Sequence, residues 1–447
     1  LRADMVGHLS GGSAPLEASS LNAPESAALE FLLKLKPPCR VLIAYSGGGD
    51  STGLLFSLAS LLRRQPMPGI SLAAATVDHG LRSGSAEEAE NAGLLCRQFG
   101  ITHHILTWRG DKPKTGIQAA AREARYRLLA QCARDIGADL LVTAHNLEDQ
   151  LETHEMRKLR NPDAAGGMSE AVLIDRSIWA CRPFLAVRRD DIRDYLVTNH
   201  VQWAEDPSND NVMFERVRVR KSLAPQGAYP DFAGLAGDRK RRADLAAAFL
   251  AAHVILHAGR VAEVDLSSFD VREPGGVLAL LHLIAFLGGR THTAGRENAE
   301  RMRRFAGQRE ETRLSIERVV LERRKQRLYI TRERRSLPEL VIAPSDTVVW
   351  DSRFRVRNGG GSPVSVWAGA GTQGCLPLLG GDLPADLPGS VRQRALQTEP
   401  CASDPASLQV VPIIAQFDRF VPSDLYEVAN RLAILGGLAQ FPEIATR

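Results

Sequence analysis

The chain has 447 residues, too long for one ordinary domain, so two or three are expected. Its hydrophobic fraction of 44% and charged fraction of 24% exclude a disordered polyelectrolyte, and no apolar run approaches the roughly 20 residues that a membrane-spanning helix needs, so no membrane partner is expected. A net charge of +4 neither demands nor excludes nucleic acid, which makes the distribution of basic residues more informative than their sum. Cys39, Cys96, Cys132, Cys181, Cys375 and Cys401 show no metal-ligand spacing and no disulfide framework, and a reducing cytoplasm is the plain expectation. Residues 1–24 begin without Met, are rich in Ser, Gly and Ala, and carry no hydrophobic signal core; they read as a disordered leader or an incomplete start.

From about Lys36 to Arg160, apolar strand-like runs alternate with helical patterns. Val41–Tyr45 is a first strand, ending at Ser46-Gly47-Gly48-Gly49-Asp50-Ser51, and a helix follows over Thr52–Arg64. Leu72–Val77 and Thr102–Thr107 read as further strands, with a helix over Ala86–Phe99 between them. A helix over Gln118–Ile136, with Ala121, Ala124, Leu128 and Cys132 on one face, leads to a strand at Leu140–Thr143 and a helix over Leu147–Leu159. This alternation predicts an α/β fold, a parallel sheet covered on both faces, with ligands beyond the carboxyl ends of its strands. Residues 207–237 read as a loop-rich connection, and 240–304 as mostly helical with Val277–Leu287 as the apolar core. Strands are expected at Arg318–Leu321 and Leu328–Thr331 around a basic turn, Arg323–Arg327, and at Val348–Trp350 and Arg353–Arg357. The turn-rich stretch 359–407 yields no assignment. The domains expected are a nucleotide-binding domain at 25–225, a mostly helical middle domain at 238–340, and a small α+β region at 341–447.

The glycine loop is the most specific chemical signal. Glycines directly after a strand let the backbone turn sharply and aim several N–H groups at one point, and the positive end of the next helix adds to the field. Ser46 and Ser51 offer hydroxyls to the same anion. No Lys follows the last glycine, so the loop lacks the phosphate clamp of a Walker motif. Asp50 stands there instead, and a carboxylate beside a polyphosphate calls for a divalent cation between them. Read alone, the loop is also compatible with a plain tight turn before a helix. Two further loops share its sheet edge: Val77-Asp78-His79-Gly80-Leu81-Arg82 after the second strand, and Thr143–Thr153 after the fourth, with His145, Asp149 and Glu152. Asp149 and Glu152, three apart, face the same way on a helix, although acids near a helix N-terminus also simply suit its dipole. Arg122 has two readings as well, stabilising a leaving pyrophosphate or lying on a solvated helix face.

Together these segments resemble the PP-loop ATP pyrophosphatases, whose signature is Ser-Gly-Gly-x-Asp-Ser. Within that superfamily, Ser46–Ser51, Val77–Arg82, Gln118–Tyr126, Thr143–Thr153, Arg182–Leu185, Trp203–Asp210 and Phe214–Arg220 resemble the tRNA(Ile)-lysidine synthases. The likeness covers roughly Arg40 to Arg220 and is weaker beyond Gly237. It implies an adenine nucleotide alpha hydrolase-like fold, ATP as substrate, Mg2+, and cleavage between the α- and β-phosphates. It further implies ligation of free L-lysine to the wobble cytidine of an isoleucine tRNA with anticodon CAU. By the resemblance, Ser46, Gly47, Gly48, Gly49, Asp50, Ser51, Asp78 and His79 bind ATP; Asp50 and Asp149 take the metal. Glu152, or Asp149 itself, orients the lysine amine, and His145 and Arg122 act on the phosphates. Two departures stand out: Glu148-Asp149 replaces the more usual Asp pair, and His154, Glu155, Arg157 and Lys158 are polar where the family helix turns apolar.

A tRNA also asks for basic surface. Candidate clusters are Arg182, Arg188, Arg189 and Arg193; Arg216, Arg218, Arg220 and Lys221; Arg239–Arg242; and Arg323–Arg327 with Arg332, Arg334 and Arg335. Arg182, Arg216, Arg218 and Arg220 are the tRNA-contact candidates, and by analogy the C-terminal region holds the acceptor end. The alternatives are another PP-loop tRNA-modifying enzyme or a catalytically silent tRNA-binding protein. Clustered cysteines for an iron–sulfur thiolase and a glutaminase segment are both lacking in the sequence. The oligomeric state is left open, a homodimer being one form.

Overall fold

The computed structural model describes residues 21–80, 85–113, 115–160, 166–205, 219, 229–308, 310–369 and 376–446. Arg82, Asp206–Asp210, Arg216, Arg218, Arg220 and Lys221 fall outside these. The chain divides into two compact units, one within Leu1–Leu159, Glu170–Pro230 and Glu443–Arg447, the other within Arg160–Ser169 and Asp231–Pro442.

In the first unit the order is α1 (Ala23–Lys34), β1 (Cys39–Ala44), α2 (Gly49–Arg64), β2 (Ile70–Asp78), α3 (Ser85–Gln98), β3 (Thr102–Thr107), α4 (Ile117–Asp135), β4 (Leu140–Val142), α5 (Leu147–Arg160), β5 (Ala171–Ile174), β6 (Ile178–Cys181) and α6 (Arg189–Thr198). The alternation expected from the sequence is therefore observed. Its strands run side by side as β5-β6-β4-β1-β2-β3. Strand β1 lies parallel to β2 on one side and β4 on the other, with Val41 between Leu72 and Leu140. The chain leaves β1 in one direction and returns on the other side with β4, so the topological switch, where such sheets bind ligands, falls beyond Ala44 and Val142. Val41, Leu42, Ile43, Leu140, Leu141 and Val142 are fully buried, as expected for strands covered on both faces.

The sheet is not wholly parallel, because β5 pairs antiparallel with β6. Their turn puts two non-glycine residues, Asp175 and Arg176, at φ 46° and 53°. The usual Asn-Gly cue is missing, so the hairpin left no signal in the sequence. Helix α1 also went unseen. The Asn22 side chain caps it by accepting from the Glu25 amide at 3.0 Å, and its Glu25 carboxylate binds Arg64.

The second unit contains α7 (Phe232–His253), β7 (Val254–His257), β8 (Val261–Asp265), α8 (Pro274–Gly288), α9 (Arg296–Gly307), β9 (Arg313–Ile316), β10 (Val319–Arg324) and β11 (Arg327–Arg332). Two expectations are corrected here. The loop expected to 237 ends earlier, since α7 starts at Phe232 with Asp231 accepting from the Gly234 amide at 2.9 Å. The helical stretch expected over 240–304 is broken by β7 and β8, which join the antiparallel sheet β7-β8-β11-β10-β9. Helix α8 is buried from Val277 to Leu287 as expected, apart from Leu278 and Leu281, which are partly exposed.

The strands β12 (Leu340–Ile342), β13 (Thr347–Trp350), β14 (Phe354–Asn358), β15 (Val364–Ala368), β16 (Leu376–Pro377), β17 (Pro400–Ala402) and β18 (Leu408–Pro412) follow, with α10 (Gly389–Gln397) before β17 and α11 (Tyr426–Leu435) near the end. They form two small sheets, β12-β15-β17-β16 and β13-β14-β18, around Trp350, Phe354, Val356, Val364 and Val366. The absence of a disulfide inferred from cysteine spacing is also corrected. Cys401 is disulfide-bonded, whereas Cys39, Cys96, Cys132 and Cys181 are free and buried. Among the described residues no helix is long and apolar enough to cross a membrane.

The fourth basic cluster is split: Arg323 and Arg332 are buried, whereas Lys325, Arg327, Arg334 and Arg335 are exposed. Arg323 and Arg324 belong to β10 rather than to a turn; Arg323 is buried and donates to the Ala306 carbonyl at 2.5 Å. Arg332 is buried against Asp351 at 2.9 Å. These two serve the fold and face no RNA.

Candidate active site

The glycine loop is wired to itself. Ser46 and Ser51 hydroxyls lie 3.0 Å apart, Ser51 Oγ donates to the Gly48 carbonyl at 3.0 Å, and Thr52 Oγ1 donates to the Gly47 carbonyl at 3.2 Å. Gly47 sits at φ +80°, a conformation that a side chain would strain. Helix α2 opens at Gly49, and no side chain caps the first N–H groups of the helix. The amide of Ala204 donates to the Gly47 carbonyl at 2.9 Å, fastening the Trp203-Ala204 segment to the loop.

Asp50 lies in the first turn of α2 and Asp149 in the first turn of α5. Asn146 caps α5 reciprocally: the Asp149 amide donates to Asn146 Oδ1 at 3.0 Å and the Asn146 amide donates to Asp149 Oδ2 at 3.1 Å. One Asp149 oxygen thus serves the cap, while the other lies 3.6 Å from the Arg189 guanidinium. The same guanidinium lies 3.5 Å from Asp50. Burial lifts the Asp50 carboxyl above its ordinary range; Arg189 opposes this and Asp149 reinforces it. Burial works against the Arg189 charge, but Asp50, Asp149, Glu152 and Glu148 outweigh it and hold its pKa above the usual value. Glu152 is fully buried. The structure therefore gathers Asp50, Asp149 and Glu152 about one arginine.

The remaining candidates form other groups. His145 Nδ1 lies 2.8 Å from Thr143 Oγ1. Asp78 accepts from the Gly80 amide at 2.8 Å, and His79 stands edge-on to Trp108 with ring centroids 6.0 Å apart. Burial, with Arg125 adding, lowers the His79 pKa, so the ring is held neutral. Arg122 stacks over Tyr126 with its guanidinium 5.0 Å from the ring centroid. Burial pushes the Tyr126 phenol up, but Arg122, Arg182 and Arg125 outweigh it and bring the phenol below its ordinary value. Three arginines about one phenol make a positive patch suited to a leaving anion.

Asn146, Tyr126 and the local role of Arg189 escaped the sequence reading. The Asn-x-x-Asp spacing of a capping box was available for the first. Arg189 was visible only as one member of a basic cluster, and no spacing rule ties it to Asp50, 139 residues away.

A divalent cation suits this donor set. The carboxylate oxygens of Asp50 and Asp149 converge on one cationic group, and hard oxygen donors of this kind hold Mg2+. Among the described residues no group of three or more His, Cys, Asp or Glu side chains is arranged to hold a metal unaided.

The comparisons with known proteins agree with the geometry. A PP-loop domain model matches residues 22–227. The tRNA(Ile)-lysidine synthase of Rhizobium meliloti is 38% identical over 434 residues, covering 93% of this chain and 95% of that protein. The tRNA(Ile)-lysidine synthase of Brucella melitensis is 38% identical over 391 residues, covering 84% and 86%. A solved structure, the U34-tRNA thiolase NcsA from Methanococcus maripaludis, aligns with a TM-score of 0.36 at 16% identity over 44% of this chain and 70% of that one, a likeness too slight to argue from. Near-complete coverage of the Rhizobium protein reaches well beyond the glycine loop and through both units, and on that ground the chain belongs to the tRNA(Ile)-lysidine synthase family.

Proposed function

We propose that this enzyme ligates L-lysine to the wobble cytidine of an isoleucine tRNA with anticodon CAU, consuming ATP and releasing AMP and pyrophosphate. The observation that carries this reading is the 38% identity along 93% of the chain to a tRNA(Ile)-lysidine synthase, with the glycine loop and the acids Asp50, Asp149 and Glu152 on one edge of one sheet. The bond order of events follows from the chemistry. Oxygen 2 of cytosine is a poor leaving group, so it first attacks the α-phosphorus of ATP, and the bond to pyrophosphate breaks. The ε-amine of lysine then attacks carbon 2, a carbon–nitrogen bond forms, and AMP departs with the oxygen.

The loop amides at Gly47–Gly49 and the start of α2 receive the pyrophosphate, with the Ser46 and Ser51 hydroxyls as further donors. Arg122 and His145 act on the phosphates, and Asp78 and His79 bind the nucleoside end. Asp50 and Asp149 would hold Mg2+, which would neutralise phosphate charge and withdraw electrons from the α-phosphorus. Free lysine has a pKa near 10.4, so its amine must lose a proton before it attacks. Glu152, a buried carboxylate, both attracts the ammonium and takes that proton. Arg182, Arg216, Arg218 and Arg220 contact the tRNA.

The test is pyrophosphate release by the purified protein, with lysine and tRNA added singly and together. Release should require the tRNA, reach full turnover only with lysine, and vanish in Asp50→Ala. Release indifferent to lysine would move the enzyme to another base modification, and none at all would leave a tRNA-binding protein.

A further inference from the structure

The Arg189 guanidinium faces two carboxylates that sit on different helices, Asp50 on α2 at 3.5 Å and Asp149 on α5 at 3.6 Å. These are ion-pair separations, not well-formed hydrogen bonds. The backbone, by contrast, is tied down: the Arg189 amide donates to Glu148 Oε2 at 2.9 Å, which fixes the first residue of α6 to the first turn of α5. The root of this side chain is thus fixed by a hydrogen bond, while its tip is held at ion-pair distance by the two carboxylates. Glu152 and Glu148 add to the field at the same guanidinium. Without that cation, Asp50 and Asp149 would repel each other across the place where a metal has to sit.

We infer that Arg189 is a positioning residue that stands in for the divalent cation in the nucleotide-free site. It keeps Asp50 and Asp149 oriented, then releases them to Mg2+ as its guanidinium turns to the incoming phosphates. The inference rests on the metal-and-ATP reading above. It makes Arg189 and the metal competitors for the same oxygens before ATP arrives, and partners on the same polyanion afterwards.

Competition has an unusual consequence: removing a positive side chain that a structural role would call essential should tighten metal binding. Mn2+ is titrated into the nucleotide-free full-length protein and followed by loss of the free-ion electron paramagnetic resonance signal. In Arg189→Gln and Arg189→Met the Mn2+ dissociation constant should fall on the order of tenfold, a half-buried charge effect. Arg189→Lys, which keeps a cation, should stay close to the wild type, and adding Asp50→Asn to Arg189→Gln should abolish the gain. ATP affinity should fall in both neutral variants, the opposite direction from the metal. Unchanged or weaker Mn2+ binding in both neutral variants would overturn the inference. Should the wild type bind no Mn2+ even with ATP present, the metal reading itself fails, a result separable from the first because it does not involve Arg189.

Discussion

Each unit contains an assembly of arginine and carboxylate, and the two are built on opposite ratios. In the first unit one arginine, Arg189, faces Asp50 and Asp149, with Glu152 and Glu148 adding to the field. In the second, a single carboxylate, Asp351, serves three arginines: Arg332 at 2.9 Å, Arg353 at 2.6 Å, and Arg318. The second assembly is closed. Asp351 is fully buried, Arg332 donates to the Arg318 carbonyl at 3.1 Å and Arg353 to the Thr398 carbonyl at 2.8 Å, so backbone oxygens use the remaining N–H groups. Burial pulls the Arg353 pKa down to about 10, with Asp351 holding it from falling further. In the first assembly the pairs are longer, at 3.5 and 3.6 Å, and join carboxylates on two different helices. A closed network with carbonyl partners has finished its chemistry at folding. One whose arginine pairs to two carboxylates at longer range can exchange that arginine for another cation.

That contrast is broken most severely if the wrong assembly proves catalytic. Asp50→Asn should lower pyrophosphate release by about a thousandfold or more, the scale of losing a metal-held phosphate, while the denaturation midpoint stays near that of the wild type. Asp351→Ala should do the reverse. It strands three arginines, and a urea titration should show a loss of about 3–5 kcal/mol, with the activity of the surviving folded fraction retained.

A pH series sharpens the same division. His282 is buried on α8, 2.8 Å from Gln416 Oε1, and burial pushes its pKa down to about 4. The folded state therefore favours the neutral ring. Its contribution is complete above the unfolded value of about 6.5 and is lost as pH falls toward 4, on the order of 3 kcal/mol. The urea midpoint should decline across that window, and His282→Gln should flatten the decline without altering the pH profile of pyrophosphate release. The smallest effect expected is that of Arg122→Ala, about a hundredfold in turnover, since the exposed guanidinium is one of three about Tyr126. A loss confined to the Michaelis constant for ATP would instead make Arg122 a ground-state binder.

The same contrast explains what the sequence could reveal. Strands β1 to β4 and the helices between them were legible because their periodicity is set by burial on both faces, and the glycine loop because a phosphate cradle needs small residues in a row. Asp149 was singled out by its spacing to Glu152, and the structure places it 3.6 Å from the arginine that also faces Asp50. Arg189 was seen only as a member of a basic cluster, because its partner Asp50 is brought to it by the sheet and not by sequence spacing. The Asp351 network was invisible for the same reason: four residues between 318 and 353 look like charged surface until β10, β11 and β14 bring them inside. The β5–β6 hairpin stayed hidden because Asp175 and Arg176 take a left-handed turn with no glycine to announce it.

The central claim is that the acids around Arg189 carry the adenylation and lysine transfer. The most direct measurement is the mass of the wobble nucleoside recovered from a CAU-anticodon isoleucine tRNA after incubation with ATP, Mg2+ and lysine. The wild type should add one lysine less one water to that cytidine, and Asp50→Asn, shown to be folded by its unchanged urea midpoint, should add none. Equal modification by the folded Asp50→Asn protein, or an unmodified cytidine with the wild type, would contradict the account.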